Sequence, residues 1–201
     1  MTTKVGQSSP RSFLNDLFAS DARVAVLRVF MIDPTRAYYQ RQLEAATGLP
    51  LRAVQRELDR LTLAGLLYRR DEGNRAYFQV DTEYPFFPEL RSMVLKSSGP
   101  AEQLRAALVV DDAVRLAFLD GAGASALTVT QPGGALGGAW TAGIRVEAMS
   151  SEEFVRALAE DRERLRPYLA EGTDMLGRRD DVIWRHIEGA GFRVQKGAGV
   201  P

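Results

Sequence analysis

Three arginines and a glutamine recur within "LRAVQRELDR", residues 51 to 60, at spacings a helix would bring to one side: Arg52, Gln55, Arg56 and Arg60. Such side chains read base edges, because a guanidinium fork fits guanine O6 and N7 and a carboxamide fits adenine N6 and N7. A second stretch invites different chemistry. "AFLDGAGASALTV", residues 117 to 129, runs from an apolar segment into glycines, as loops that hold a nucleotide phosphate do. Groove reading and phosphate chemistry are both candidates, and the elements around each stretch decide between them.

At about 100° per residue, Leu51, Val54, Leu58 and Leu61 fall within about 80° of arc, while Arg52, Arg56 and Arg60 project from the opposite side with Gln55 and Asp59 beside them. Upstream, "YYQRQLEAATGL" predicts a short helix that carries Arg41 and ends at Gly48. Two short helices joined through a glycine make a helix-turn-helix. Before them, "SDARVAVLRVFMIDP" predicts a helix capped by Ser20 and stopped at Pro34, with Val24, Leu27, Phe30 and Met31 inward and Arg23 and Arg28 outside the stripe.

A helix face of arginines is, taken alone, more often a solvated surface than a reading head. The segment after the helix changes that balance. "GLLYRRDEGNRAYFQVD" predicts two strands about a turn at Glu72, Gly73 and Asn74, with Gly and Asn supplying the positive backbone angles of a tight hairpin. Arg69, Arg70 and Arg75 flank that turn. A helix-turn-helix leading into an arginine-flanked hairpin is a winged helix, which presents a recognition helix to the groove and a wing to the adjacent backbone. The expected base contacts are Arg52, Gln55 and Arg56; the expected phosphate contacts are Arg41, Arg60, Arg69, Arg70 and Arg75.

In the exit segment, "EYPFFPELRSMVLK", Pro88 can open a helix whose Leu90, Met93 and Val94 share a face. This predicts a linker helix that docks on a second domain or pairs with another subunit. A homodimer is the expectation, since two half-sites bind more tightly than one.

These residues carry a resemblance. Residues 15 to 99 look like the winged-helix domain of prokaryotic ArsR-like transcriptional regulators, most closely the group with a nucleotidyltransferase-like domain attached. The carrying stretches are "YYQRQLEAATGLPLRAVQRELDRLTLAGLL", the wing "RRDEGNRAYF" and the exit "YPFFPELRSMVLKSSG". Pro50 and Leu51 depart from the pattern, standing where such proteins place a capping Ser followed by Pro. A missing cap forfeits about 1 kcal/mol and frays the first turn without removing the helix.

The resemblance implies that the second half holds an apolar strand, a Gly-Ser, a helix and a second strand bearing an Asp-x-Asp pair for Mg²⁺. "VRLAFL" fits the first strand, but Asp120 and Gly121 stand where Gly-Ser would be, and "ALTVT" holds no carboxylate. Two-metal chemistry needs anionic ligands. Between Asp120 and Glu147 there are none, and the segment is too short for a phosphate-binding helix. Gly121, Gly123 and Ala126 also satisfy G-x-G-x-x-A, with Glu147 ending a later strand "IRVE", as a dinucleotide site would. That site needs a helix after the glycines, which "ALTVTQPGGALGGAW" is too rich in Gly, Pro and β-branched residues to supply. "GIRVEAMSSEEFVRALAEDRERLRPYLAEG" predicts a strand, a cap at Ser150 or Ser151 with Glu153, and a helix with Phe154, Leu158 and Leu165 inward. The carboxylates of "GRRDD" and "AEDRERLR" predict solvated ion pairs, and Trp184 and His186 a terminal helix's packing and surface.

Composition agrees with this reading. The chain has 201 residues, 45% hydrophobic and 26% charged, with one His and no Cys, which excludes disulfides, cysteine nucleophiles and multi-His metal sites. A metal-sensing role of the ArsR kind is accordingly not expected. Residues 1 to 99 carry 14 Lys+Arg against 11 Asp+Glu, and residues 100 to 201 carry 12 against 15, so a polyanionic partner is sought in the first half. The opening "MTTKVGQSSPRSF" lacks the apolar core of a secretion signal and no stretch is apolar enough to span a membrane, so a cytoplasmic protein is expected.

The expected fold class is α+β: an amino-terminal winged helix-turn-helix over 15–83, a linker helix over 84–100 and a small α/β domain over 101–192 resembling a shortened nucleotidyltransferase fold, between a flexible start (1–14) and a flexible tail (193–201). The expected function is a sequence-specific DNA-binding regulator, homodimeric on double-stranded DNA, with a catalytically silent second domain and no cofactor, metal or effector singled out. Two alternatives stand beside it: a nucleotide-binding or nucleotidyl-transferring enzyme, and a protein–protein adaptor that binds no DNA.

Overall fold

The computed structural model describes residues 10–134 and 143–200, a mixed α+β chain with two sheets that divides into compact units over 1–99 and 100–201. In chain order the first unit holds α1 (Pro10–Phe18), α2 (Asp21–Ile32), β1 (Tyr38–Tyr39), α3 (Gln40–Thr47), α4 (Leu51–Leu63), β2 (Leu67–Glu72), β3 (Arg75–Val80) and α5 (Phe87–Lys96). Among the described residues no helix is long and apolar enough to cross a membrane.

Helix α2 begins as predicted, with the Ser20 hydroxyl accepting the Arg23 backbone N–H at 3.2 Å. Its inward Val24, Leu27, Phe30 and Met31 are buried, but so are Val26, Val29 and Ile32. The reason is its surroundings: α1, α3, α4 and α5 all pack on it. Helix α3 stops where Gly48 turns left-handed at φ 68°, a conformation that costs glycine no Cβ clash. Helix α4 starts at Leu51 without a side-chain cap; the Pro50 carbonyl accepts Ala53 and Val54 N–H in its place. Strands β1, β3 and β2 form an antiparallel sheet in that order.

The structure corrects the sequence expectation in three places here. Glu72 is the last residue of β2, opposite Arg75, so the turn is Gly73–Asn74; Gly73 alone supplies a positive φ, 56°, the arrangement of a type II′ turn. Residues 10–14 are helical, and Leu14 is buried in the core of this unit; the rest of the expected flexible start, 1–9, lies outside the described residues. Helix α5 is no linker. Val94 is buried and Leu90 and Met93 pack on the same core, Arg91 Nε donates to the Met31 carbonyl at 3.0 Å, and Arg28 on α2 donates to Ser98 Oγ at 2.9 Å. The apolar face expected to meet a partner is already covered by α2.

The second unit holds α6 (Pro100–Leu108), β4 (Val114–Leu119), β5 (Ser125–Thr130), β6 (Arg145–Ser150), α7 (Ser151–Glu160), α8 (Arg162–Leu169), β7 (Thr173–Asp174), α9 (Asp181–Gly189) and β8 (Gln195–Lys196). Its sheet runs β6-β5-β4-β7-β8, with β4–β5 antiparallel and β5–β6 parallel. Leu116, Phe118, Leu127, Val129 and Met149 meet α7, α8 and α9, while Ala117 and Ala126 share a cluster with Leu104 and Leu108 of α6. Burial on both faces explains why β4 and β5 read as apolar runs without alternation. Phe118 stacks on Phe154 and meets Trp184 edge-on, both at 6.1 Å between centroids.

The predicted helix after Ser150 is two helices, because the backbone turns at Asp161 (φ −138°, ψ 59°). Its start is as expected, with Ser150 and Glu153 exchanging hydrogen bonds in a capping box. Nor does the end behave as a flexible tail: Gln195 and Lys196 pair with β7, Val200 is buried, and the buried Arg105 donates to the Gly199 carbonyl at 2.6 Å. Pro201 lies outside the described residues.

The glycine-rich stretch is the turn of the β4–β5 hairpin. Asp120 accepts from Ala124 N at 2.8 Å, Ser125 N at 3.1 Å and Ser125 Oγ at 2.9 Å. Gly123 supplies φ 70°, and a Cβ on Gly121 would sit 2.8 Å from the Glu171 carbonyl oxygen. The glycines serve close backbone approach, and β5, a strand, occupies the place where a phosphate-binding helix would start.

Two carboxyls titrate low in consequence. For Asp120, partial burial pushes upward, but hydrogen bonds from Ser125, Ala124 and Gly123 outweigh it; for Glu153, hydrogen bonds from the Ser150 backbone and side chain pull down. Stability from both is therefore complete only above about pH 5 and is lost as pH falls through their ordinary and then their lowered values. Urea unfolding from pH 7 to pH 3 should show a smaller acid loss in Asp120→Asn, which should also cost about 1–2 kcal/mol at pH 7. Gly172→Ala should cost at least about 1–3 kcal/mol by the same assay, since its Cβ would lie 2.1 Å from the Leu119 carbonyl oxygen.

Candidate functional site

Helix α4 is anchored by Val54, Leu58 and Leu61, all buried, and by one charged residue, Glu57, whose side chain is 5% exposed. Glu57 Oε2 accepts Arg23 Nε of α2 at 3.0 Å and Glu57 Oε1 accepts Arg60 Nη1 at 2.8 Å. A carboxylate so placed is satisfied only at one rotation of α4 about its axis, and that rotation turns Arg52 and Arg56 outward. Both are exposed, and neither has a carboxylate partner among the described residues.

Gln55 lies at the edge of this face, half-buried, where its Nε2 donates to Gln40 Oε1 at 3.1 Å. One N–H and the carbonyl oxygen remain, the pair a bidentate adenine contact requires. Gln40 is the first residue of α3, so this bond ties the two helices together beside the outward face.

Of the expected phosphate contacts, three come together. Arg41, Arg69 and Arg75 line one cleft of about 650 Å³ between the start of α3 and the β2–β3 hairpin, with Tyr39, Gln40 and Asp71. Arg75 is held with its guanidinium 4.8 Å above the Tyr39 ring, which leaves its N–H groups free of carboxylates. Three of the five expected contacts are engaged within the protein, Arg69 of the cleft among them: Arg60 pairs with Glu57, Arg69 meets Asp71 at 3.1 Å and Arg70 meets Glu72 at 2.8 Å, the last two along one strand. The strand pairs are exposed and worth about 0–1 kcal/mol each, so a competing polyanion can exchange them.

The sequence pattern missed Tyr39, Gln40, Glu57 and Arg23. Glu57 had a signal, since it falls at the margin of the apolar stripe three residues before Arg60. Gln40 had none, because its partner lies 15 residues away and meets it only once α3 and α4 have packed.

Of the carboxylates in "GRRDD" and "AEDRERLR", the exposed Glu163 lies 3.7 Å from Arg166, whereas Asp180 is not solvated: it caps α9 and pairs with Arg115, its side chain 14% exposed. Outside those stretches Glu147 pairs with Arg164 and Glu171 lies 3.5 Å from Arg166. Trp184 is buried and donates to the Arg178 carbonyl at 3.0 Å, and His186 is exposed.

Comparison of the chain with protein-family models, curated proteins and solved structures finds no match in any of the three.

Replacing Glu57 by Gln keeps its shape and removes its charge, which strands Arg23 and Arg60. It should cost about 1–3 kcal/mol in urea unfolding, because only the carboxylate is fully buried and both guanidiniums reach solvent. Alanine at Arg52 or Arg56 should leave stability within about 0.5 kcal/mol.

Proposed function

We propose that the first unit is a winged helix-turn-helix that binds double-stranded DNA, and that the protein is a sequence-specific transcriptional regulator. The observation that carries this reading is the outward trio Arg52, Gln55 and Arg56 on an anchored helix, beside a cleft that gathers Arg41, Arg69 and Arg75. In this reading α4 is the recognition helix, with Arg52, Gln55 and Arg56 on base edges. Arg41 and Arg75 hold phosphates, joined by Arg69 and Arg70 once DNA displaces Asp71 and Glu72. Arg60 acts through Glu57, by fixing the helix's rotation.

The proposed assembly is a homodimer on two half-sites. With α5 packed on its own core, the apolar side chains of this unit left for a second copy include Phe13 and Leu17, exposed one turn apart on α1. The proposed role of the second unit is an interaction module resembling a shortened, catalytically silent nucleotidyltransferase domain. Support comes from Asp120, whose carboxylate is taken up by its own turn, and from β5, which carries no carboxylate.

Fluorescence anisotropy against duplex DNA over a range of salt tests the reading. Binding should weaken steeply with salt, and Arg56→Ala should cost about 1–3 kcal/mol on the preferred site and blur specificity. Arg75→Ala should weaken all sequences alike and lower the salt slope by about one. Asp71→Asn with Glu72→Gln should tighten binding by about threefold, since it frees two arginines. Absence of binding at low salt would favour the adaptor. Transfer from labelled nucleoside triphosphate with Mg²⁺ that is lost in Asp120→Ala would favour the enzyme.

A further inference from the structure

We propose that the cleft at the carboxyl end of α9 binds a small phosphomonoester, with the phosphate among Arg162, Arg179 and Arg193 and an apolar body against Phe192 and Val194. The cleft encloses about 560 Å³ and is lined by Arg179, Trp184, Glu188, Phe192, Arg193 and Val194. Arg162 stands at its rim, 5.7 Å over the Phe192 ring and with Nη2 3.4 Å from where a Cβ on Gly191 would be. A volume of this size can hold a small ligand.

The chemistry follows from how these arginines are held. Elsewhere in this unit Arg115, Arg164 and Arg166 meet carboxylates, Arg105, Arg178 and Arg185 donate to backbone carbonyls, and Arg145 and Arg156 have no carboxylate within ion-pair distance among the described residues but lie outside this cleft. Arg162 and Arg179 instead lie over aromatic rings, Arg179 at 4.4 Å from the Trp184 centroid. None of Arg162, Arg179 and Arg193 has a carboxylate within ion-pair distance among the described residues. Yet in residues 100 to 201 acidic side chains outnumber basic ones, 15 to 12. Three guanidiniums around one concavity, with only Arg179 in the field of a more distant carboxylate, Asp174, leave their N–H forks for an anion from outside. A phosphate monoester offers them two charges and three terminal oxygens. The half-buried Phe192 and Val194 supply an apolar wall beside that charge, which inorganic phosphate would not use. Glu188, the one carboxylate in the lining, sets a limit on the ligand's negative charge.

This inference does not rest on DNA binding by the first unit. Trp140→Phe leaves Trp184, beneath Arg179, as the sole tryptophan of the 201-residue chain. Phenyl phosphate should change its emission saturably, and calorimetry on the same protein should give the affinity. Arg179→Ala with Arg193→Ala should weaken binding by about tenfold or more, and Glu188→Gln should tighten it. The opposite directions separate a site from a fold defect, and thermal unfolding of each variant checks the fold. Inorganic phosphate should bind about tenfold more weakly than the ester. Absence of saturable binding, or binding unchanged in the double variant, overturns the proposal. Equal affinity for inorganic phosphate overturns the ester. Displacement of phenyl phosphate by duplex DNA, in a protein also carrying Arg52→Ala and Arg56→Ala, overturns the small ligand in favour of a nucleic-acid backbone.

Discussion

Glu57 is the constraint around which the first unit is arranged. A carboxylate taken from water requires compensation on both oxygens, and Arg23 from α2 and Arg60 from α4 itself provide it. Hydrophobic contacts alone tolerate some rotation and sliding of a helix, because they have no direction. A buried ion pair does not, and its contribution lies more in orientation than in net stability. Here the orientation is that of α4, whose other face carries Arg52 and Arg56 into solvent.

Arginine thus divides into two populations along this chain. Arg23, Arg28 and Arg91 tie helices of the first unit to their neighbours through Glu57, the Ser97 and Ser98 hydroxyls and the Met31 carbonyl, and Arg60 braces Glu57 within α4. Arg91 is buried deeply enough that desolvation lowers its pKa, although a guanidinium remains charged at any physiological pH. Arg41, Arg52 and Arg56 make no such ties among the described residues. A count of basic residues therefore overstates the positive surface, and which arginine belongs to which population depends on tertiary partners.

How much was legible in the sequence tracks the range of the interactions concerned. Ser20, Gly48, Pro88 and the Ser150–Glu153 box act on their own neighbours, and the elements they bound stand where their spacing put them. The Gly-rich stretch was legible as a turn leading into a strand and not a helix, because β-branched residues follow it closely. What it does hold, the approach of Gly121 to Glu171, depends on a segment 50 residues away. Helix α5 misled for a similar reason: an apolar face on a helix says that something covers it, not what. The tie of Arg60 to Glu57 was not legible from its outward position on a helical wheel, which takes no account of a neighbour three residues back whose carboxylate points inward. The division of one predicted helix at Asp161 left no mark on the apolar periodicity, since Phe154, Leu158 and Leu165 are buried on both sides of it.

The ion pairs of β2 have a further consequence. Strand β2 lies at the edge of its sheet, and Arg69, Arg70, Asp71 and Glu72 are all exposed. An edge with unpaired backbone groups is a template on which another chain can add a strand, and four consecutive charges of both signs make such an addition costly from either face. The hairpin can project into solvent without inviting edge-to-edge aggregation. Because Arg69 with Asp71 lies on one face and Arg70 with Glu72 on the other, that protection is carried by both faces while the strand's net charge stays at zero.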